Sequence, residues 1–297
     1  MDRFQRFRRT RIAPTPSGYL HLGNAYSFAL TAAIARRTGA RILLRIDDLD
    51  RQRIKREYVE DVFDTLDYLE LPWDEGPRSY VEYEATYSQA HRLPLYHAAL
   101  KQLREGSQVF ACNCSRTMLL DNNSQGMYSG NCRDRGLPLG PAGCSWRLRT
   151  DMARKLVIRT LDAGERSELL PAVMRDFVVR KKDGFPAYQL ASLVDDVHFD
   201  VDFVIRGEDL WASSLAQLYL ADVLGYEAFL KTTFHHHGLL KAPSQEKKLS
   251  KSAGATSIQY LRRQGHTKAD IFRLISQMIG LGYTVSCWEE LGHATLA

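Results

Sequence analysis

No apolar run in the 297-residue chain approaches the roughly 20 residues needed to cross a bilayer, so no membrane span is expected. The opening MDRFQRFRRT is basic and lacks an apolar core, which argues against a secretory leader and for a cytoplasmic protein. Cysteine is sparse and odd in number, five in all, which makes a disulfide framework improbable. Internal repeats and a long low-complexity tail are also missing.

Hydrophobic residues make up 44% of the chain and charged residues 25%, the balance of a soluble globular protein with a sizeable core. A net charge of +5 is compatible with an RNA partner. The basic residues cluster at Arg3 to Arg9, Arg180 to Lys182, and Lys247, Lys248 and Lys251.

The stretch RIAPTPSGYLHLGNA, Arg11 to Ala25, joins a short strand to a helix through a turn containing Pro14, Pro16 and Gly18. His21 falls at the start of that helix, where free backbone N–H groups and the positive dipole end favour anions. The helix carries Leu22, Ala25, Phe28, Ala29, Ala32 and Ala33 at helical spacing, and it should stop near Arg36-Arg37 and Gly39. RILLRI (Arg41 to Ile46) then reads as a buried parallel strand, completing a βαβ unit. Ligands of such sheets bind at the carboxyl ends of the strands. Of the acids that follow, Asp47 is expected to face the pocket, and Asp48 and Asp50 to serve the turn.

Further helices are expected at Val59 to Leu69, Ser88 to Leu103 with Pro94 in its first turn, Trp211 to Leu224, and from about Ile258 and Lys268 onward. Strands are expected in VFACNCS (Val109 to Ser115), where a short strand enters a cysteine loop, at Trp146 to Thr150, at Lys155 to Thr160, from Val201 to an end at Arg206 and Gly207, and at Thr232 to Leu240. The texture divides the chain three ways. Residues 1–104 and 186–242 are expected to form a split Rossmann-type sheet domain, 105–185 an insertion with the cysteines, and 243–297 the KLSKS segment and terminal helices. On ligand chemistry alone, Cys112, Cys114, Cys132 and Cys144 would make a closed four-thiolate zinc site. The three consecutive histidines, His235 to His237, alternate between the faces of a strand and so do not read as a metal tract.

KLSKS, Lys248 to Ser252, supplies two ammonium groups and two hydroxyls suited to a triphosphate. RIAPTPSGYLHLGNA, RIDDLD, AYQLASLVDD, VIRGEDL and KLSKS, in this order, resemble the catalytic domain of class I glutamyl-tRNA synthetases. HLGN stands where that family has HIGH, and KLSKS where it has KMSKS. The resemblance implies an α/β doubly wound parallel-sheet fold with a short C-terminal helical part. It also implies an AMP-forming ligase that activates L-glutamate with ATP and Mg²⁺. It assigns His21, Gly23, Asn24, Lys248 and Lys251 to ATP, with His21 and Lys251 catalytic. It assigns Arg11, Ile12, Ala13, Pro14, Thr15, Asp47, Tyr188 and Arg206 to glutamate. The family usually has Glu where this chain has Asp47, and RIDD is closer at this point to glutaminyl-tRNA synthetases.

Only 45 residues follow Ser252, fewer than the anticodon-binding region of full glutamyl-tRNA synthetases needs. Cys112-x-Cys114 followed by Tyr128-x-x-x-Cys132 resembles the zinc site of the glutamyl-queuosine tRNA(Asp) synthetases, with Tyr128 as fourth ligand. That resemblance implies one structural Zn²⁺, transfer of glutamate to queuosine in the anticodon of tRNA(Asp), and a monomer.

Overall fold

The computed structural model describes residues 5–115, 117–118, 127–140, 143–240 and 257–295. Strand β1 (Arg9–Ile12), helix α1 (Leu22–Thr38), strand β2 (Arg41–Leu44) and helix α2 (Arg56–Tyr68) come first. After single helical turns between Tyr80 and Arg92 follow α3 (Leu93–Glu105), β3 (Val109–Cys112), β4 (Ser145–Leu148), β5 (Lys155–Thr160) and β6 (Gly164–Leu169). Then come β7 (Val178–Arg180), α4 (Tyr188–His198), β8 (Phe203–Gly207), α5 (Trp211–Leu224) and β9 (Thr233–His237). The last helices are α6 (Ile258–Arg263), α7 (Lys268–Met278) and α8 (Trp288–Thr295). These elements form two compact units. The first takes the described residues of Met1–His91, Phe203–Glu208 and His235–Ala297, and the second those of Arg92–Asp202 and Asp209–Phe234.

In the first unit, β1 and β2 pair in parallel from Arg9↔Arg41 to Ile12↔Leu44, with α1 as the crossover. α1 ends as its sequence dictates: Arg36 and Arg37 lie in the last turn, and Gly39 takes φ 73° with its N–H on Ala35 O. Residues around nearly its full circumference are buried, because α8 as well as the strands pack on it. At Gly292 of α8 a Cβ would stand 2.2 Å from that of Ala33, so only glycine permits this approach. α2 buries Val59, Val62, Phe63 and Leu66 on one stripe, together with two polar residues, Asp61 and Thr65. Phe7 stacks on Phe203 at 4.2 Å, joining β8 to the start of β1.

In the second unit, β3, β4 and β7 form an antiparallel sheet. β5 pairs antiparallel with β6 and parallel with β9 at Arg159↔Thr233 and Thr160↔Phe234. The parallel pairings of a doubly wound fold are therefore present at β1–β2, a two-stranded parallel sheet, and at β5–β9, in a sheet that also pairs β5 antiparallel with β6. KLVIRT, read from sequence as part of the insertion, pairs with β9. The helix expected from Ser88 begins at Leu93, with Pro94 in the first turn where a missing N–H costs nothing. Arg92, just ahead of it, forms a buried two-point pair with Asp195 of α4, to which Tyr96 also donates at 2.6 Å.

Gly76, in the loop LPWDEGP, takes φ +99°, and a Cβ there would lie 2.2 Å from Leu44 O in β2. The substitution Gly76→Ala should lower the unfolding free energy by about 2–4 kcal/mol, through backbone strain and displacement of β2. A denaturant titration with an unchanged m-value checks it.

Candidate active site and metal site

His21 caps α1 through its side chain. Its backbone is extended at φ −116°, ψ 173°, and the ring folds back so that Nδ1 accepts from Gly23 N at 3.1 Å. Asn24 answers by accepting from His21 N at 3.0 Å, a reciprocal capping box. Gly23 makes room for the ring, since a Cβ there would sit 3.0 Å from His21 Cε1. With Nδ1 acting as an acceptor, the neutral ring carries its proton on Nε2, which leaves a donor for an anion. The ring keeps an exposed edge, and its partial enclosure lowers its pKa, favouring that neutral form.

Arg11, Ile12 and Pro14 are buried at the end of β1, Ala13 is half-buried and Thr15 exposed. Arg11 donates through Nη1 to Ile205 O of β8 at 3.1 Å, and Arg206 lies next along β8, 3% exposed. Asp47 N donates to Pro14 O at 2.9 Å, which places Asp47 beside this turn. Its carboxylate forms a two-point pair with Arg45 at 2.7 and 3.0 Å, both side chains buried. Each carboxylate oxygen has further lone-pair capacity, so an ammonium can join this pair without displacing Arg45. The sequence reading missed Arg45, although residues two apart on an extended chain share a face.

Asp48 is fully buried and accepts from Tyr83 (2.7 Å), Ser88 (2.6 Å), Gln89 N (2.7 Å) and Arg51 (2.8 Å). It ties the loop after β2 to the segment before α3.

On β9, His237 Nε2 meets Ser27 Oγ at 3.0 Å and its ring packs edge-on against Tyr26. Burial, followed by the electrostatic influence of Arg206, His235, His237 and Arg11, pushes His236 down to about 3. In the second unit, Tyr188 opens α4 and is 44% exposed. Lys248 and Lys251 lie outside the described residues; the described chain resumes at Ser257, which bridges His21 in antiparallel fashion and caps α6.

The second unit also gathers Cys112, Cys114 and Cys132, whose buried sulphurs all lie within 4.8 Å of one another. These three thiols can hold a metal ion. Cys112 ends β3 and Cys114 follows it; Cys114 and Cys132 sulphurs are 3.5 Å apart. Tyr128 packs in the same cluster with Phe110, and its hydroxyl accepts from Cys132 N at 2.7 Å. Arg147 covers the Tyr128 ring at 4.0 Å. Cys144, half-buried just before β4, is not in the three-sulphur group. Burial, with Cys132 and Cys112 adding to it, pushes the Cys114 thiol up to about 12. A soft cation is the natural counter-charge for such thiols, since binding removes their protons.

His236 gives the fold a pH dependence with a definite sign. Its folded pKa, about 3, lies below the ordinary histidine value of 6.5, so between these values the unfolded chain holds a proton that the folded chain refuses. Stability should fall on acidification from pH 6.5 toward 4, by on the order of 1 kcal/mol per pH unit from this site. His236→Gln should flatten that slope in thermal melts measured across the range.

The family model of the tRNA synthetases class I (E and Q), catalytic domain, matches residues 8–294. The chain is 34% identical to glutamate–tRNA ligase 2 of Syntrophus aciditrophicus across 95% of its own length, and spans 60% of that relative. It is likewise 34% identical to the glutamyl-Q tRNA(Asp) synthetase of Rhodobacter capsulatus, over 90% of this chain and 99% of that one. Among solved structures, a glutamate tRNA ligase from Elizabethkingia meningosepticum superposes with a TM-score of 0.72 at 23% identity, over 97% of this chain and 64% of that one. That likeness carries the fold, and the sequence matches carry the kinship: the chain belongs to the class I tRNA synthetases (E and Q), whose catalytic domain it contains.

Proposed function

We propose that this protein activates L-glutamate with ATP and passes the glutamyl group to the queuosine base in the anticodon of tRNA(Asp). The observation that carries the activation step is the capped His21, which presents Nε2–H at the N-terminus of α1. An oxygen of the glutamate α-carboxylate attacks the α-phosphorus of ATP. The bond to the bridging oxygen breaks, and pyrophosphate leaves with its electron pair. His21 donates to phosphate oxygens as their charge shifts, and the α1 dipole adds to the same field. Lys251 and Lys248 take the departing phosphates, as the resemblance of KLSKS implies. Mg²⁺ bound to the nucleotide supplies further charge neutralisation.

Glutamate needs cations for its carboxylates and an anion for its ammonium. Arg11 and Arg206 supply the first, Asp47 with Arg45 the second, and the turn Ile12 to Thr15 provides the wall. The resemblance of AYQLASLVDD assigns Tyr188 to add a hydroxyl. In this reading residues 1–104 and 186–242 form the catalytic fold, 105–185 the insertion, and 243–297 the KLSKS segment and helices. The protein works as a cytoplasmic monomer.

Transfer to queuosine rests on the cysteine cluster. Cys112, Cys114 and Cys132 with Tyr128 beside them resemble the zinc site of glutamyl-queuosine synthetases, and the cluster suits one structural Zn²⁺ that ties down the insertion facing the tRNA. Zinc measured by elemental analysis should be close to one ion per chain and be lost in Cys114→Ser. Tyr128→Phe should retain it less tightly, while Cys144→Ser should match the parent.

Glutamate-dependent ATP–pyrophosphate exchange should run without tRNA, and His21→Ala should slow it about 100-fold or more. Labelled glutamate offered to tRNA(Asp) with and without queuosine then decides the acceptor. Label confined to the queuosine form supports the proposal. Equal labelling of both forms at the 3′ end would replace it with charging of the 3′ end.

A further inference from the structure

Leu20 lies one residue ahead of HLGN, and its peptide groups are held from two sides. Its N–H donates to Asp61 Oδ2 of α2 at 2.9 Å. Its carbonyl accepts from Ile258 N, the first residue of α6, at 2.7 Å. His21 is paired with Ser257 in the adjoining bridge. Ser257 lies six residues beyond Lys251 in the sequence.

Asp61 is an odd choice for the buried stripe of an amphipathic helix. It is 2% exposed, and among the described residues it has no ion pair and no hydrogen bond to another side chain. A carboxylate at such a position is costly unless it receives hydrogen bonds. Burial raises its pKa, and the Leu20 N–H opposes that rise; Asp64 adds to it and Arg262 of α6 counters it. A leucine there would bury more apolar surface but would strand the Leu20 N–H.

We infer that Asp61 is a positioning residue for His21. By fixing Leu20 while Ile258 fixes the other end of the same residue, it sets the extended backbone that turns Nδ1 onto Gly23 N and leaves Nε2–H facing outward. The same clamp ties Ser257 and Ile258, at the start of α6, to the backbone beside His21. The kinetic part of this inference rests on the proposed glutamate activation; the structural part does not.

The test compares Asp61→Ala, Asp61→Asn and Ile258→Pro with Thr65→Ala as a control. Thr65 is a fully buried residue of α2 outside the clamp. Proline is tolerated at the first position of a helix, so Ile258→Pro removes the N–H while sparing α6. The first readout is the ¹⁵N–¹H spectrum of the imidazoles, with the His21 signals assigned through His21→Gln. The second is exchange kinetics.

Asp61→Ala and Ile258→Pro should shift His21 from pure Nε2–H toward a mixture of tautomers. They should lower kcat for exchange about 10- to 100-fold, with KM for glutamate within about threefold. Asp61→Asn keeps an oxygen for Leu20 N–H, and should keep the tautomer and a rate within about threefold of the parent. Thr65→Ala should leave both readouts unmoved. Unchanged tautomer and rate in a folded Asp61→Ala or Ile258→Pro protein would overturn the inference, as would equal effects in Thr65→Ala. If Asp61→Ala does not fold, Ile258→Pro decides alone. If the parent protein shows no glutamate-dependent exchange, the proposed activity fails, and the tautomer readout still decides the role of Asp61.

Discussion

A charge withdrawn from water has to be met by an opposite charge or by hydrogen bonds, and the first unit withdraws several at once. Arg11, Arg45, Asp47, Asp48 and Arg206 are all buried at or just beyond strand ends. Each compensation fixes a piece of backbone. Arg11 ties β1 to Ile205 in β8, Asp48 gathers Tyr83, Ser88 and Gln89, and Asp47 is held in orientation by Arg45. Pairs of this kind contribute little net stability against apolar substitutes, but they leave few alternative arrangements of their side chains. A site built this way has its dipoles and charges aimed before any ligand arrives, which is the condition for strong electrostatic stabilisation.

Much of this was legible in the sequence because it depends on local rules. The limits of α1 follow from a capping residue, a basic last turn and Gly39, and those of α5 from an apolar run that stops at Gly225. Kinship was legible because five ordered motifs carry chemistry. What could not be read depended on partners distant in the chain. Nothing near Lys155 announces that β5 pairs with Thr233 and Phe234. Ser88 and Gln89 look like the start of a helix until Asp48, 40 residues earlier, claims them. Asp61 reads as a polar interruption of an apolar stripe until Leu20 is placed against it. Hydrophobic period reports which face is buried; it does not report what a buried polar group is for.

The cysteine cluster presents a different balance. A thiol pushed up to about 12 is inert as a nucleophile at neutral pH. Cys132 shows the opposite tendency: burial raises it, but the Asn113 backbone, the neighbouring thiols and Arg135 outweigh burial and hold it below its usual value. Adjacent sulphurs with divergent proton affinities form a donor set that can hold a metal ion, and binding one would remove the remaining thiol protons.

The chain passes between the two compact units after His91, Asp202, Glu208 and Phe234, so neither unit is a continuous piece of polypeptide. This has a consequence during synthesis. α1 is complete once Thr38 has been made, yet the helix that covers its outer face, α8, starts at Trp288, 250 residues later. At about 5–20 residues per second the ribosome takes roughly 10–50 s to supply that cover. Throughout this interval Ala33 and its apolar neighbours on α1 are without the helix that will seal them. The exposure of this helix face during synthesis is set by chain order, independently of the stability of the finished fold.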